Sequence, residues 1–401
     1  MKISSTRSIL ALVAVSELLV QSLWFSGTAV LPQLAREWHA GIHVTSWLTI
    51  AVQLGFVLGA VLAAVFNLSD IFSAARVFAF SALAGAAFNA GFALAASRHQ
   101  IVLSLVLRCA TGMALAGTYP TAMRLLAGWF REGRGTALGL LIAALTVGSA
   151  LPHAVHAIGD LPWRAVVMTS SILAVCGAVV LLVAVRDGPY STPAPRLDVR
   201  QLGRVLHDRA LLLANCGYLG HMWELYSMWA WIAIILGSSS GAHSSALIEG
   251  CSFVIIAVGA VGCLSGGRVS DRLCSTLPWV QARSVVTIVA MTISGTCCLL
   301  AALTIHRFPI LVGVCLIWGV AIIADSAQFS TVISELADQR YVGTTLTIQT
   351  AAGFSLTALS IWTTGWIGAH LGWRCATLSM AVGPLLGSIA MFRLKRLKLA
   401  E

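Results

Sequence analysis

The sequence predicts an all-α integral membrane protein with about twelve transmembrane helices in two pseudo-symmetric six-helix bundles. The composition is the first observation: of 401 residues, 58% are hydrophobic and 10% are charged, and the mean hydropathy is +0.89. Soluble domains typically carry about 25% charged residues. The second observation is a succession of apolar runs, each long enough at about 20 residues to cross a bilayer. The third is an internal repeat that relates the two halves of the chain.

Proline, glycine and charge clusters divide the chain into the predicted spans. We place them near residues 8–32, 43–67, 76–97, 101–128, 135–158, 163–186, 210–236, 244–267, 283–304, 308–332, 343–367 and 372–393. The first run contains Glu17 and Gln21 and is too long and too polar for a cleavable signal peptide. We therefore interpret it as the first span.

Three pairs of similar segments indicate a duplicated unit of about 200 residues, a common construction in secondary transporters. They are "LPWRAV" at Leu161 and "LGWRCA" at Leu371, "NLSDIF" at Asn67 and "RVSDRL" at Arg268, and "RGTALG" at Arg134 and "VGTTLT" at Val342. We expect residues 1–186 to form the N-terminal bundle and residues 210–401 the C-terminal bundle. Residues 187–209, which include three prolines, are the predicted central linker.

The distribution of lysine and arginine predicts the topology. The net charge is +10, but the basic residues lie at the ends of the spans and form no single patch, which argues against a nucleic-acid partner. Most of them fall on the side of the two termini. The opposite side carries only Arg36, Arg98, Arg164, Arg307 and Arg374. By the positive-inside rule, both termini and the linker are cytoplasmic, in a cell (inner or plasma) membrane.

Two sequence motifs match a known family. The loop "GRVSDRLCS", which contains Asp271 and Arg272, fits the first half of the pattern G-x-x-x-D-R-x-G-R. The corresponding first-half loop, "FNLSDIFSAAR", keeps Asp70, and Arg108 is followed four residues later by Gly112 in the fourth span. On these motifs the chain resembles the major facilitator superfamily (MFS) across essentially its whole length. The resemblance implies two six-helix bundles that rock about a central cavity.

The loop aspartates are predicted gating residues. Asp70 and Asp271 lie at the ends of the second spans, where a carboxylate can face the N-termini of helices that begin near Val342 and Arg134. Such contacts, together with Arg272, would hold the cytoplasmic side closed. The alternative is that each aspartate caps its own following helix.

Five ionisable residues fall inside predicted spans: Glu17 in the first, Arg108 in the fourth, His221 and Glu224 in the seventh, and Asp325 in the tenth. These spans each open a three-helix unit and are equivalent in a fold built from three-helix repeats. A charged side chain costs about 2.5–3.5 kcal/mol or more at the bilayer centre, so such residues face water, a partner or the bundle interior. We expect them to line the central cavity.

Helical spacing extends this set. In the first span Glu17, Gln21 and Trp24 follow an i, i+4, i+7 pattern, and in the seventh His221, Glu224 and Trp231 share one side. The predicted substrate and proton site comprises Glu17, Gln21, Trp24, Arg108, Tyr119, His221, Glu224, Trp231, Asp325 and Gln328.

Structural roles are open alternatives for several of these residues. His221 can be an interior histidine that donates to a carbonyl group or to Glu224 one turn away. Glu17 and Glu224 can be neutral packing groups. Arg108 can belong to a structural salt bridge.

The sequence favours neither a metal site nor an enzyme. The H-x-x-E spacing of His221 and Glu224 has no second copy, the ten cysteines include no C-x-x-C pair, and neither a nucleophile elbow nor a phosphate loop occurs. We interpret His153 and His156, near the outer end of the fifth span, as pore-mouth or packing residues. No cofactor is expected.

The predicted function is secondary active transport of a small solute by alternating access, driven by protons. An anionic or zwitterionic solute is favoured because Arg108 is the one fixed cation inside a span and can bind a carboxylate through two hydrogen bonds. One alternative is proton-antiport efflux of a drug or cationic metabolite, bound by the carboxylates and by Trp24 and Trp231. Another is a solute sensor that keeps the fold without transport. The expected partners are solute, protons and lipid, and the expected state is a monomer.

Overall fold

The computed structural model describes residues 6–41, 46–66, 72–130, 134–158, 161–190, 207–241, 243–338 and 341–397. Within these ranges the chain forms helices and turns and no strand. The predicted all-helical membrane fold is therefore confirmed. Asp70 and most of the predicted linker lie outside the described residues.

The helices of the first half follow one another with short connections. They are α1 Thr6–Phe25, α2 Leu31–Glu37, α3 Trp47–Val65, α4 Ala74–Ser97, α5 Ile101–Leu115, α6 Tyr119–Trp129, α7 Arg134–Ala157 and α8 Trp163–Ala184. Helices α5 and α6 together make one crossing, the fourth span.

The second half repeats this arrangement with different breaks. Its helices are α9 Arg209–Gly237, α10 Ser245–Ala257, α11 Gly259–Leu273, α12 Trp279–Thr304, α13 Phe308–Ala324, α14 Ser326–Leu336, α15 Val342–Leu371, α16 Trp373–Met380 and α17 Val382–Lys395. The pairs α10–α11, α13–α14 and α16–α17 make the eighth, tenth and twelfth spans.

Most of the predicted spans appear as helices that are long and apolar enough to cross a membrane. Among the described residues there are ten such helices or helix pairs. Helices α9 and α15 are more polar but have 29 and 30 residues, and at 1.5 Å per residue each also has the length to cross. The twelve crossings fit the predicted number.

The first span differs from its predicted extent of 8–32. Helix α1 ends at Phe25, a turn follows, and the short helix α2 begins at Leu31. Two of the three repeat pairs fall at equivalent places, since Arg134 and Val342 begin α7 and α15, and Trp163 and Trp373 begin α8 and α16. Asn67, in the third pair, lies outside the described residues. The first two pairs thus mark the starts of matching helices.

With twelve crossings, α1 begins and α17 ends on one side of the helical domain. We call this side the terminal face and the opposite side the distal face. The chain therefore runs toward the distal face in α1, α7 and α9 and away from it in α10–α11.

An aromatic cluster joins the two halves in the interior. Trp24 on α1 and Phe56 on α3 meet Phe354 on α15, with ring centroids 5.4 Å and 4.4 Å apart. Tyr226 on α9 lies 5.9 Å from Trp24 and 5.1 Å from Phe354. These four residues, the aromatic plug, are a shared apolar contact between the bundles.

Gly112 explains one of the family motifs physically. A Cβ atom at this position would overlap the carbonyl oxygen of Val52 on α3, and one at Gly55 would overlap that of Cys109 on α5. Only glycine permits this close helix approach. The contact fixes α5, and with it Arg108 one turn earlier, against α3.

Candidate functional site

The predicted site residues are almost completely enclosed. Apart from Tyr119, which is partly buried, each has a relative exposure of 2% or less. These side chains therefore have almost no contact with bulk solvent in this conformation.

Arg108 binds carbonyl groups at the end of α1, next to the break in the first span. Leu23 and Trp24 lie in the last turn of α1, where carbonyl groups lack helical partners and a cation is favoured by the helix dipole. The five hydrogen bonds of the guanidinium go to Trp24 O (2.7 Å), Asn89 Oδ1 (2.8 Å), Leu23 O (3.1 Å), Ser26 Oγ (3.1 Å) and Leu48 O (3.4 Å).

All these acceptors are neutral. Among the described residues Arg108 forms no ion pair, so the salt bridge considered from the sequence is not what holds it. The guanidinium is anchored by carbonyl and side-chain dipoles, and its positive charge is not cancelled by a carboxylate. Asn89 on α4 is a supporting residue that the sequence reasoning missed, although an asparagine inside an apolar span was the available signal.

One side of α1, formed by Glu17, Gln21 and Trp24, carries buried polar groups without hydrogen-bond partners among the described residues. Both carboxyl oxygens of Glu17, Oε1 of Gln21 and Nε1 of Trp24 have no hydrogen-bond partner among the described residues. The amide of Gln53 on α3 is unpartnered at both atoms, and Tyr119 lies within electrostatic reach of Glu17. An unsatisfied buried polar group costs about 1–3 kcal/mol. Such a concentration marks a place suited to a polar solute or water.

His221 and Asp325 form a buried pair between the seventh and tenth spans. His221 Nδ1 lies 2.9 Å from Asp325 Oδ1, and both side chains are 2% exposed. The contact is at ion-pair distance, while Oδ1 accepts no hydrogen bond of good geometry and His221 Nε2 has no partner among the described residues. The two side chains are therefore in close contact without a well-aligned hydrogen bond, and the net charge of the pair depends on its protonation.

Asp325 owes its position to a break in the tenth span. Helix α13 ends at Ala324 and α14 begins at Ser326, so Asp325 is the junction residue. Discontinuous helices at the membrane midplane commonly build transporter sites, because they place backbone and side-chain polar groups in the interior.

Glu224 occupies a separate and fully bonded position. Its Oε1 accepts from Trp318 Nε1 at 2.7 Å and from Cys298 Sγ at 3.2 Å, while Oε2 accepts from Ser294 Oγ at 2.9 Å. The predicted pairing of His221 with Glu224 differs from this geometry: three residues along a helix diverge enough for the two to meet different neighbours. Glu224 nevertheless lies within electrostatic reach of Asp325.

Ser294 and Cys298 were missed by the sequence reasoning. They lie on α12, the ninth span, which contains no Asp, Glu, Lys, Arg or His in its apolar middle. Their i, i+4 spacing on one helix face was the only signal available.

Two predicted site residues point elsewhere. Trp231 Nε1 donates to Ile361 O at 3.1 Å and its ring lies 5.2 Å from that of Trp373. Gln328 accepts from Arg283 Nη1 at 3.2 Å, and Arg283 also forms a two-pronged pair with Glu335 at 2.6 and 2.7 Å. Trp231 therefore packs toward the distal side of the second half and Gln328 toward its terminal side.

The predicted gating residues lie at the terminal face. Asp271 and Arg272 are exposed in the last turn of α11, and Asp271 makes no hydrogen bond or ion pair with a described residue. The expected contacts with the starts of α7 and α15 stay a prediction. Asp70 lies outside the described residues.

No group of three histidine, cysteine or carboxylate side chains in the described ranges is arranged to hold a metal ion.

Two helical halves with ionisable residues buried between them are a common construction of secondary transporters. Residues 13–361 match the family model described as the Major Facilitator Superfamily. The chain belongs to the Major Facilitator Superfamily. The predicted family is thereby confirmed.

Solved structures share the fold over nearly the whole chain. A bacterial homologue of the human lysosomal transporter Spinster, in an inward-facing and unoccupied conformation, is 14% identical with a TM-score of 0.75, over 99% of this chain and 98% of that one. Its inward-facing and occupied conformation is 15% identical with a TM-score of 0.72, over 97% of each chain. No curated protein sequence matches the chain.

Proposed function

We propose that the protein is a proton-coupled secondary transporter of a small solute, with the His221–Asp325 pair as its principal proton site. The observation that carries this proposal is a histidine and a carboxylate 2.9 Å apart, both 2% exposed, at the junction of a broken helix. Histidine and carboxylate side chains take up and release protons near physiological pH when their surroundings change.

The coupling follows from the cost of altering a buried pair. Removing the charge of one partner of a buried ion pair is strongly unfavourable, by about 3–5 kcal/mol, because the other charge is left uncompensated. Protonation of Asp325 or deprotonation of His221 therefore favours a state in which water enters and solvates the remaining charge. Glu224, within electrostatic reach of Asp325, adds a second carboxylate whose charge disfavours further negative charge at the pair.

For the solute we propose a zwitterion. Glu17 offers a carboxyl group without a protein partner, which suits an ammonium or another hydrogen-bond donor. Arg108 retains an uncancelled positive charge, which attracts an anionic group. Glu17 and Trp24, whose carbonyl binds Arg108, are seven residues apart on α1, so their Cα atoms are about 10 Å apart along the helix axis.

A simple anion is less well supported than a zwitterion, because the guanidinium is already engaged by five protein acceptors. A lipophilic cation is the second candidate. It is favoured by the Glu17 carboxyl group, which has no hydrogen-bond partner among the described residues, and by Trp24 on the same helix, since tryptophan can bind a cation through its ring.

We further propose that the terminal face is cytoplasmic, in an inner or plasma membrane, as the positive-inside rule predicts. Residues 1–186 and 210–401 would then be the rocking units, joined by the linker 187–209, in a monomer that works within the lipid bilayer.

The test begins with a thermal-shift screen of the purified full-length protein against amino acids and other zwitterions, organic anions, sugars and lipophilic cations. The compound with the largest shift is then followed in proteoliposomes with an imposed proton gradient. Gradient-dependent accumulation that a protonophore abolishes supports the proposal. Equilibration without accumulation would indicate uniport, and binding without counterflow would indicate a sensor.

A further inference from the structure

A second buried ionisable cluster joins the two halves near the distal face. His153 on α7 lies with Nδ1 2.5 Å from Glu249 Oε2 on α10, and His156 Nδ1 lies 3.4 Å from Glu249 Oε1. All three side chains are at most 4% exposed. The residues belong to the last two turns of α7 and the first two turns of α10, so the contact crosses from one bundle to the other.

The cluster also reaches the break in the first span. His156 Nδ1 lies 3.1 Å from Ala29 O, and its Nε2 lies 2.7 Å from Gln33 Nε2 on α2. Because Nδ1 of His156 faces two acceptors, the carbonyl oxygen of Ala29 and a carboxylate oxygen of Glu249, it must carry a proton. The Gln33 amide NH₂ on the other side suits an unprotonated Nε2, and rotation of that amide would instead present its oxygen to a protonated Nε2.

We propose that His153, His156 and Glu249 form a proton-operated latch that holds the distal face closed. A proton on either histidine makes the contact an ion pair across the two bundles. Without that proton, Glu249 is a buried negative charge held only by neutral hydrogen bonds, which is far less favourable in a low-dielectric interior.

The other charged groups around the cluster do not compete with the two histidines for Glu249. The charged and titratable side chains on elements packed against the cluster are Arg7 and Glu17 on α1, Arg36 and Glu37 on α2, Tyr119 and Arg124 on α6, Arg164 and Cys176 on α8, Arg209, Cys216, Tyr218, His221, Glu224 and Tyr226 on α9, Cys263, Arg268, Asp271 and Arg272 on α11, and Arg307, Cys315 and Asp325 on α13 or at its ends. Arg164 is itself 3.5 Å from Glu37, and among the described residues Glu249 forms ion pairs with His153 and His156 alone.

The helix that carries the histidines has a built-in point of movement. Pro152 lies inside α7, where it cannot donate a hydrogen bond to the carbonyl of Gly148 and weakens the helix at that turn. Gly148 itself is packed so closely on α1 that a Cβ there would overlap Leu18 O. The distal end of α7 can therefore move with the latch while its middle stays attached to α1.

The sign of the pH effect follows from proton binding. The proposed closed latch contains a proton between a histidine and Glu249, whereas opening to water removes the need for that proton. The closed state therefore holds more protons than the open state, and acidification favours closure. One extra proton changes the closed-to-open ratio by up to about tenfold per pH unit. At a pH low enough to protonate Glu249, its carboxyl group becomes neutral and the ion pair is lost.

Hydrogen-exchange mass spectrometry on the full-length protein in lipid nanodiscs tests the latch. Protection factors, which remove the chemical pH dependence of exchange, are compared at pH 6 and pH 8 for peptides covering the distal ends of α7 and α10. Wild-type protein should be several-fold to about tenfold more protected at pH 6. Glu249→Gln should abolish this difference, and His243→Gln, at a histidine outside the cluster, should retain it.

If Glu249→Gln does not fold, His153→Gln and His156→Gln decide the question, since each removes one of the two proton sites and should reduce the difference. An equal protection at both pH values in wild type, or an unchanged difference in the cluster variants, overturns the proposal. Because the readout is opening and not transport, the result is independent of proton coupling at His221 and Asp325.

Discussion

His221 Nδ1 lies 2.9 Å from Asp325 Oδ1, in a contact that joins an unbroken helix to the junction of a broken one. His221 lies within the continuous helix α9, and Asp325 is the junction residue between α13 and α14. Under the proposed function, a change in the protonation of this pair acts at that junction and couples proton binding to helix movement.

We predict that Arg108→Lys lowers thermal stability although it conserves charge. Lysine has three donors on one nitrogen and cannot reach the five acceptors that the planar guanidinium binds. We expect a loss of about 2–4 kcal/mol, since buried hydrogen-bond acceptors become unsatisfied. The measurement is the melting temperature in detergent beside the exposed control Arg76→Lys. Equal melting temperatures for the two variants would show that Arg108 does not anchor the first span.

A second prediction concerns the donors around Glu224. Trp318→Phe keeps the aromatic volume largely intact and removes the Nε1 donor that lies 2.7 Å from Glu224 Oε1. The buried carboxylate then loses one of three hydrogen bonds, which costs about 1–3 kcal/mol. Thermal unfolding should shift downward for this variant and remain near wild type for Trp362→Phe, a change at a partly lipid-facing tryptophan. A shift no larger than the control's would argue that the hydrogen bond is unimportant.

The third prediction tests the solute polarity. Glu17→Gln replaces the unpartnered carboxyl group by an amide that cannot carry a negative charge, with almost no change of shape. Zwitterionic or cationic ligands that stabilise the wild-type protein should bind at least about tenfold more weakly, as for a lost charge-assisted hydrogen bond of about 1.5–3 kcal/mol. Isothermal titration with the best compound from the thermal-shift screen gives the affinities. If that compound is an anion whose affinity Glu17→Gln leaves unchanged or improves, the zwitterion and cation proposals both fail.

Topology provides a fourth prediction. Reporter fusions after Arg196, in the linker, and after Arg307, before α13, should report opposite sides of the membrane, with the linker cytoplasmic. Lysine and arginine are concentrated on the linker side, as the positive-inside rule requires of a cytoplasmic face. The same side for both fusions would be incompatible with an odd number of crossings between them.

The fold was largely predictable from the sequence because membrane spans obey a simple length and polarity rule. The starts of α7 and α15 could be matched in advance through "RGTALG" and "VGTTLT". The break at Phe25 was not predicted, although Ser26, Gly27 and Thr28 interrupt the apolar run there. The last carbonyl groups of α1 are bound by Arg108, a tertiary partner 83 positions after Phe25 that the local sequence does not reveal.

Helical spacing could predict which residues are buried together in the interior. It could not predict which of them are in direct contact. It placed His221 and Glu224 on one side of α9, but partners are chosen by the neighbouring helices. Asp325 and Trp318 both come from the tenth span, and each reaches a different member of the pair. Gln53 and Gln349 were passed over because amides carry no charge, although both have buried atoms without partners among the described residues.

The most direct test of proton coupling is uphill transport by Asp325→Asn in proteoliposomes, with the best compound of the screen as solute. Asparagine keeps the size of the side chain but cannot bind or release a proton at this site. We predict that the variant loses gradient-driven accumulation and solute-linked proton movement, measured with a lumenal pH dye, yet still exchanges labelled for unlabelled solute. His243→Gln should behave like wild type. Undiminished, protonophore-sensitive accumulation by Asp325→Asn would contradict the assignment of the His221–Asp325 pair as the proton site.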